Sequence, residues 1–211
     1  MIPNCILILA PHTDDAELGC GGSMARFIRE NFQVYVAVFS TAAESLPTDV
    51  PSNTLIKEFQ TSMKILGVPA SRQFIHKYPV RRLQDFRQEV LDHIIDLKRV
   101  IEPDIVFIPS GNDLHQDHQV VHQEGLRAFK ESTVWGYELP WNHVTFSAQA
   151  FIQLQKSDLD KKWEALGAYD SQFDLKRPYF TREFVEGLAK VRGVQIKSDY
   201  AEAYEVIRFK W

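Results

Sequence analysis

The chain has 211 residues, of which 45% are hydrophobic, 12% aromatic and 25% charged. These fractions are ordinary for a globular protein and exclude a disordered, collagen-like or low-complexity chain. Lys and Arg number 24 against 28 Asp and Glu, a formal charge of -4, so no basic excess is available to neutralise a nucleic-acid backbone. No apolar run approaches the roughly 20 residues of a membrane span.

The first residues predict a strand rather than a secretion signal. They carry no basic side chain, and the short apolar run that follows ends at Pro11 and His12. Two cysteines, Cys5 and Cys20, make no disulfide framework, which fits a reducing cytoplasm. We therefore expect a cytoplasmic protein, with a homo-oligomer left open.

Short apolar runs alternate with helical patterns through the first two-thirds of the chain. The patterns predict strands at residues 5–10, 34–39, 73–75, 104–109 and 133–139, and helices at 21–31, 53–67, 83–101 and 119–130. Asn53 is placed to cap the second helix, and Gly67 and Pro69 are placed to end it. This alternation predicts a Rossmann-like three-layer α/β/α fold with a mostly parallel sheet.

The pattern changes after about residue 140. It predicts a strand at 144–154, helices at 159–169 and 181–192, and a last strand at 204–209. No linker-like composition separates these elements from the rest of the chain. We expect one domain over 1–211, with a Rossmann-like core at 1–140 and a C-terminal α+β extension at 141–211.

Two short polar segments each follow a predicted strand. They are residues 11–17 (PHTDDAE) and 112–118 (NDLHQDH). In the common doubly wound strand order 3-2-1-4-5, the first and fourth strands are neighbours, and ligands bind beyond their carboxyl ends. We therefore expect the two segments to face one crevice.

The side chains in these segments suit metal-assisted hydrolysis of an amide. His and Asp ligands with an open fourth position are typical of a catalytic Zn²⁺ site, where the metal lowers the pKa of a water toward neutrality. Two adjacent carboxylates, Asp14 and Asp15, allow one to bind metal and the other to take the proton of the water. A second histidine, three residues before the ligand histidine, can be held protonated by Asp117 and stabilise an oxyanion.

The same residues resemble the LmbE-like, or PIG-L type, zinc-dependent N-acetylglucosaminyl de-N-acetylases. The family's first motif, Ala/Pro-His-Pro-Asp-Asp followed by Glu and Gly-Gly, is matched by residues 11–22 (PHTDDAELGCGG). Its second motif, His-x-Asp-His, is matched by residues 115–118 (HQDH). The resemblance continues through 161–166, 169–172, 192–193 and 200–203. It implies a hydrolase that removes the N-acetyl group from an N-acetylated amino sugar or sugar conjugate.

The resemblance also implies a role for individual residues. One zinc ion, or another divalent ion such as Fe²⁺, would be held by His12, Asp15 and His118. Asp14 would be the general base and His115 the acid or electrophilic partner. Asp117 would orient His115. Glu17 would support the loop or the start of the helix.

Two positions depart from the family pattern. Thr13 stands where the family has Pro, which leaves every functional side chain in place. Many members carry an Arg three residues before a Glu on the second helix, and here Leu55 precedes Glu58 at that spacing. This second departure bears on the substrate rather than on the chemistry.

Other functions stay open from the residues alone. The same site would serve the hydrolysis of another small amide, and a non-catalytic metal- or sugar-binding module would need the ligands without an acid–base pair. The glycines at 19–22 suggest a nucleotide-binding oxidoreductase, but Met24 stands where the third glycine of that fingerprint belongs. We interpret these glycines as allowing the helix start to pack close to the crevice.

Several further residues are weaker candidates for the site. His122, one helical turn after His118, is a possible additional ligand. Three arginines are candidates to bind a phosphate or carboxylate of a charged substrate: Arg82, Arg177 and Arg192.

Overall fold

The structure, a computed structural model, describes residues 4–210. Residues 1–3, which belong to the segment predicted to be a strand rather than a secretion signal, lie outside the described residues. The strands are β1 Cys5–Ala10, β2 Gln33–Val38, β3 Gln73–Ile75, β4 Ile105–Pro109, β5 Thr133–Tyr137, β6 Ala150–Leu154 and β7 Tyr200–Arg208. The helices are α1 Asp15–Arg29, α2 Thr54–Leu66, α3 Arg87–Ile101, α4 Gln116–Ala128, α5 Lys156–Leu166, α6 Asp170–Phe173 and α7 Arg182–Val194.

These strands form one sheet in the order β3-β2-β1-β4-β5-β7-β6. The pairs from β3 to β5 are parallel, whereas β7 runs antiparallel to both β5 and β6. The predicted order of the five parallel strands is confirmed, and β1 is hydrogen-bonded to β4. The carboxyl ends of these two strands, at Ala10 and Pro109, therefore open at the same edge of the sheet.

Strand β1 is buried on both faces because its side chains alternate between two cores. Ile6, Ile8 and Ala10 lie in a core formed with α1, α2, α5 and α7, while Leu7 and Leu9 lie in a core formed with α3 and α4. A continuous apolar run is the pattern expected of such a central parallel strand. The sheet is thus the middle layer of three, which confirms the α/β class.

Helix α1 begins at Asp15 rather than at residue 21, directly after the first polar segment. Its glycines lie within the helix and permit close packing. A Cβ at Gly19 would lie 2.5 Å from the Tyr137 side chain, and a Cβ at Gly22 would lie 2.5 Å from the Leu154 side chain. The glycines therefore bring α1 close to the sheet rather than to the crevice, which corrects the expected role.

Other predicted elements differ from the structure at their ends. Strand β6 begins at Ala150 rather than at residue 144, because β7 pairs only with residues 150–154. Gly67 ends α2 in the left-handed region with φ 96, as predicted, but the Asn53 side chain makes no capping hydrogen bond. The predicted helix 83–101 opens with a 3₁₀ turn, Leu83–Phe86, before α3.

The C-terminal section continues the sheet rather than standing apart from it. Lys162 of α5 and Glu202 of β7 form a buried ion pair at 2.7 Å, and Glu202 also accepts hydrogen bonds from the backbone of Gly22 and Ser23 in α1. This continuity supports our proposal that residues 1–211 form one domain. Among residues 4–210, no helix combines the length and apolar character needed to cross a membrane.

Candidate active site

The two polar segments meet at the carboxyl ends of β1 and β4. His12 Nδ1 lies 3.0 Å from Asp15 Oδ2, and His118 Nε2 lies 3.2 Å from each of these atoms. The three residues are buried, with exposed fractions of 9%, 5% and 2% for His12, Asp15 and His118. The three side chains that the sequence suggested as ligands therefore converge on one point.

This triangle of atoms fits a tetrahedral cation such as zinc. Nitrogen and oxygen ligands at about 2.1 Å from a tetrahedral ion lie about 3.4 Å from one another, which is only a few tenths of an ångström more than the separations here. Three protein ligands leave a fourth position for water or substrate, as in catalytic zinc sites. Small side-chain shifts would let His12, Asp15 and His118 hold such an ion.

Two further carboxylates fix the orientation of the histidines. His118 Nδ1 lies 2.6 Å from Asp113 Oδ2, and His12 Nε2 lies 3.0 Å from Asp117 Oδ2. Each imidazole thus has one nitrogen in the triangle and the other on a carboxylate, which is the usual support of a metal-binding histidine. Sequence reasoning missed the role of Asp113, although it stands in the second polar segment, five residues before His118.

Negative charge dominates the electrostatics of the triangle. Burial disfavours the imidazolium form, but the carboxylates of Asp15 and Asp117 outweigh it and raise the pKa of His12 to about 9. Burial is likewise outweighed at His118, whose pKa Asp15 and Asp113 raise to about 10. Burial would raise the pKa of Asp15, but the imidazoles of His118 and His12 hold it well below its ordinary value. The site therefore favours positive charge, in the form of protons or of a divalent cation.

Asp14 lies beside the triangle and faces the cavity. It occupies the N-cap position of α1, but its side chain does not cap the helix. Burial, and after it the charge of Asp15, raise the pKa of Asp14 to about 6. A carboxyl group with a pKa close to neutrality can accept a proton from water and give it back within one turnover.

The geometry corrects the expected contact between Asp117 and His115. The Asp117 carboxylate bonds to the His12 ring and accepts hydrogen bonds from the backbone N–H groups of Arg81, at 2.6 Å, and Leu83, at 3.1 Å. Asp117 reaches His115 through its own backbone N–H, which donates to His115 Nδ1 at 3.2 Å. His115 is the N-cap of α4, so the first helical turn points the Asp117 amide at the ring while its side chain points elsewhere.

The surroundings of His115 favour the neutral ring, whereas the sequence suggested a protonated one. Burial, and then the neighbouring His118 and His12, lower the pKa of His115 to about 4. Because Nδ1 accepts a hydrogen bond, the proton of the neutral ring is on Nε2. The ring centre lies 4.9 Å from that of His12 and 4.6 Å from that of His118. A neutral Nε2–H group at this distance from the triangle can donate to a developing oxyanion.

Glu17 connects the first polar segment to the C-terminal section. Its Oε1 accepts a hydrogen bond from Ser62 at 2.5 Å and lies 2.7 Å from the Tyr169 hydroxyl. That hydroxyl lies 2.5 Å from the Thr13 carbonyl oxygen. The Tyr169 hydroxyl lies within donating distance of both oxygens, so its single proton serves either the Thr13 carbonyl or Glu17 Oε1. Burial raises the pKa of Glu17 to about 8, which keeps it neutral. This network supports the expected role of Glu17 in the loop.

The triangle residues, Asp14 and His115 line one cavity of about 330 Å³, a volume typical of small-molecule sites. We call its chemically equipped residues the floor: His12, Asp14, Asp15, His115 and His118. We call four of the exposed or half-buried residues of its wall the mouth: Arg81, Trp141, Arg177 and Tyr179. Of these four residues, the sequence suggested only Arg177, because the other three stand in no motif.

The three candidate arginines differ in their surroundings. Arg177 lines the cavity. Arg82 instead pairs with Asp85 at 2.8 Å, and Arg192 pairs with Glu138 at 2.9 Å, and neither lines the cavity. Arg177 is therefore the member of this set that is placed to meet a ligand.

Two other sequence observations are resolved by the structure. His122 Nδ1 bonds to the Pro109 carbonyl oxygen at 2.8 Å, and His122 is not part of the histidine cluster formed by His12, His115 and His118. Leu55, at the position where many relatives carry Arg, lines the cavity. At this point of the cavity wall, the chain therefore has an apolar side chain where an arginine would be charged.

Comparison with known proteins agrees with the motifs. Residues 7–129, more than half of the chain, match the PIG-L family, described as GlcNAc-PI de-N-acetylase. The chain belongs to the PIG-L family. The resemblance given by the two motifs is thus confirmed. The family and a curated relative are deacetylases, which makes this PIG-L protein an amide hydrolase by class.

Individual relatives cover between 79% and 98% of this PIG-L protein. An Escherichia coli protein described as uncharacterized deacetylase YaiS is 28% identical over 173 residues, which are 79% of this chain and 90% of that protein. The N,N'-diacetylchitobiose deacetylase of Pyrococcus horikoshii has a TM-score of 0.81 at 18% identity, over 98% of this chain and 84% of that chain. GalB of Pseudomonas putida, a 4-carboxy-2-hydroxymuconate hydratase, has a TM-score of 0.77 at 18% identity, over 98% of this chain and 97% of that chain. The structural likenesses show the fold, which one of these proteins uses for deacetylation and another for hydration.

Proposed function

We propose that this protein removes the N-acetyl group from an N-acetylated amino sugar or sugar conjugate of the N-acetylglucosamine type. The products are acetate and the free amine. His12, Asp15 and His118 would hold one zinc ion, Asp14 would be the general base, and His115 would donate a hydrogen bond to the oxyanion. Asp117 would position His12 through its carboxylate and His115 through its backbone amide.

One observation carries this proposal. Three ligand atoms from two distant segments lie 3.0–3.2 Å apart, and a carboxyl group with a raised pKa, that of Asp14, stands beside them in the same cavity. A zinc ion bound there would act as a Lewis acid that polarises water and the amide carbonyl. A module that only binds metal or sugar has no need of Asp14 and His115, which favours an enzyme.

The residues of the floor divide the reaction between them. Asp14 accepts a proton from the water whose oxygen attacks the carbonyl carbon. The Nε2–H of His115 donates to the carbonyl oxygen as that oxygen becomes negative. Asp14 then returns the proton to the amide nitrogen as the C–N bond breaks. One water is added across one amide, and no electron donor or acceptor is needed.

The test is amine release from N-acetylglucosamine and its derivatives by the purified protein, with metal content measured by elemental analysis. We expect release that a chelator abolishes and that added Zn²⁺ or Fe²⁺ restores, the better ion being the working metal. Hydrolysis that a chelator leaves unchanged would contradict the metal assignment. Stoichiometric metal without release from any N-acetyl sugar would favour another small amide or a binding module.

A further inference from the structure

Asn142 joins the turn after β5 to the loop that carries His115. It lies in a 3₁₀ turn and lines the cavity. Its backbone carbonyl oxygen accepts a hydrogen bond from the Leu114 N–H at 3.0 Å, one residue before His115. Asp113 and His143 form a β-bridge between the same two segments. Asn142 is therefore held beside His115, the residue proposed to donate to the oxyanion.

The side-chain amide of Asn142 is oriented by a carboxylate. Its Nδ2 donates to Asp113 Oδ2 at 3.3 Å, and the same oxygen lies 2.6 Å from His118 Nδ1. A carboxylate offers no proton, so this contact places the NH₂ group toward Asp113 and Oδ1 away from it. Within residues 4–210, no N–H or O–H group donates to Asn142 Oδ1, yet this atom is not among the buried polar atoms that lack a partner. Oδ1 is therefore an unused acceptor that solvent can reach.

An amide substrate brings two hydrogen-bonding groups, and the proposed reaction has so far used one of them. In a trans secondary amide the carbonyl oxygen and the N–H group point to opposite sides. His115 is proposed to donate to the carbonyl oxygen, and Asp14 to take the proton of the attacking water. The N–H group of the substrate still needs an acceptor, because a buried donor without a partner weakens binding. Asn142 Oδ1 is an unused acceptor in the wall of the same cavity.

We propose that Asn142 Oδ1 accepts a hydrogen bond from the N–H of the acetamido group of the substrate, while His115 Nε2–H donates to its carbonyl oxygen. Asn142 would thus be a specificity-determining residue that favours an amide over an ester, since an ester has no N–H at this position. A site that binds an N–H group rejects an analogue without it, because the acceptor of the site is then left unpaired. This inference rests on the proposed function, because it assumes that an N-acetyl group occupies the floor.

A matched pair of probes tests this contact. N-acetylglucosamine and 2-O-acetylglucose carry the same acetyl group on the same carbon, one through N–H and the other through oxygen. Acetate release, after subtraction of the uncatalysed rate, gives kcat/KM for each probe, and the readout is the amide-to-ester ratio. Asn142→Leu keeps the size of the side chain but removes the acceptor, so this ratio should fall about tenfold. Weaker support of Asp113 in the variant would slow both probes alike and leave the ratio unchanged.

Asn112→Leu is the matched control. Asn112 belongs to the second polar segment, and its amide also donates to a carboxylate, Glu205 Oε1, at 2.9 Å, but Asn112 does not line the cavity. This variant should keep the amide-to-ester ratio of the parent. Asn142→Ala is a second test variant with less effect on packing, and its ratio should match that of Asn142→Leu.

Binding separates this inference from the proposed function. On an Asp14→Asn background, chosen to prevent turnover, calorimetry with the two probes should show the amide-to-ester affinity ratio falling about tenfold in Asn142→Leu and staying constant in Asn112→Leu. Equal ratios in these two variants, in either assay, would overturn the role of Asn142. A preference for the amide in binding that depends on Asn142, with no amine released by the unmodified protein, would keep the contact and contradict the deacetylase proposal.

Discussion

The floor and the mouth of the cavity are built in different ways. The floor residues proposed as ligands, His12, Asp15 and His118, are almost wholly buried, and each imidazole is fixed by a carboxylate on its outer nitrogen. The mouth is exposed or half-buried, and no carboxylate of the described residues 4–210 lies within 4.0 Å of its arginines. The floor comes from two loops after neighbouring strands and the first turns of the helices that follow them, whereas the mouth is assembled from segments spread over residues 81–179.

This difference separates the chemistry from the choice of substrate. A closed set of buried partners holds the reacting groups in one geometry, which metal binding and proton transfer both require. An open rim with unused donors is where a ligand adds the missing partners. We therefore expect variants of the floor to lower turnover of every substrate, and variants of the mouth to change the order of preference among substrates.

The largest effect is expected at a metal ligand. His118→Ala removes one corner of the triangle, so the protein should lose its metal and its deacetylation should fall below detection. His122→Ala is the matched control, because His122 lies one turn further along α4 and contacts Pro109 instead. Elemental analysis of both variants checks the assignment. Stoichiometric zinc in His118→Ala would remove His118 from the ligand set.

The next effect separates proton transfer from metal binding. Asp14→Asn keeps the shape of the side chain but cannot accept a proton, so kcat should fall by about 10²- to 10⁴-fold while the metal content stays that of the parent. Kinetics with N-acetylglucosamine derivatives and metal analysis of the same preparation give the two readings. Undiminished turnover would exclude Asp14 as the base.

A smaller effect tests the outer support of the floor. Asp113→Asn leaves a hydrogen-bonding group on His118 but removes its charge, so zinc affinity should fall about 10- to 100-fold, as is usual for such supporting groups. Asp96→Asn, at an exposed position of α3, is the control. Competition with a zinc-binding dye measures both. If the two variants bind zinc equally well, Asp113 has no part in holding the metal.

The last effect concerns stability rather than turnover. Glu17 keeps its proton in the folded state up to about pH 8, but in the unfolded chain it loses it near its ordinary value of 4.5. Between these values the folded state binds more protons, so the free energy of unfolding falls as pH rises, by about 1.4 kcal/mol per pH unit. Glu17→Gln should remove this dependence.

Thermal melts at pH 5 and pH 8 measure the change. The variant should gain stability relative to the parent at pH 8 and lose that advantage at pH 5. Parallel melting curves for the two proteins across this range would mean that Glu17 is ionised in the fold. Ser62→Ala is a useful companion, because it removes one hydrogen bond to Glu17 and leaves the carboxyl group in place.

The convergence of the floor was predictable from the sequence. Apolar runs gave the strands, the alternation with helices gave a parallel sheet, and the usual strand order made β1 and β4 neighbours. Polar residues directly after those two strands had to meet at one edge. The pairing of carboxylates with histidines was not predictable in the same way. Asp117 was assigned to His115 by spacing, yet its carboxylate lies on His12, because the helix start turns the side chain toward β1.

The sequence by itself determined the class of fold, the family and the residues of the floor, because each of these depends on local periodicity or on motifs of at most twelve adjacent positions. Only the tertiary structure decided that Asp113 supports His118, that Tyr169 reaches the Thr13 carbonyl, and that Arg81 and Arg177 share one cavity. These contacts depend on the direction in which each side chain points and on how separate loops pack together. A linear pattern of residue types carries neither, since it records order along the chain and not orientation in space.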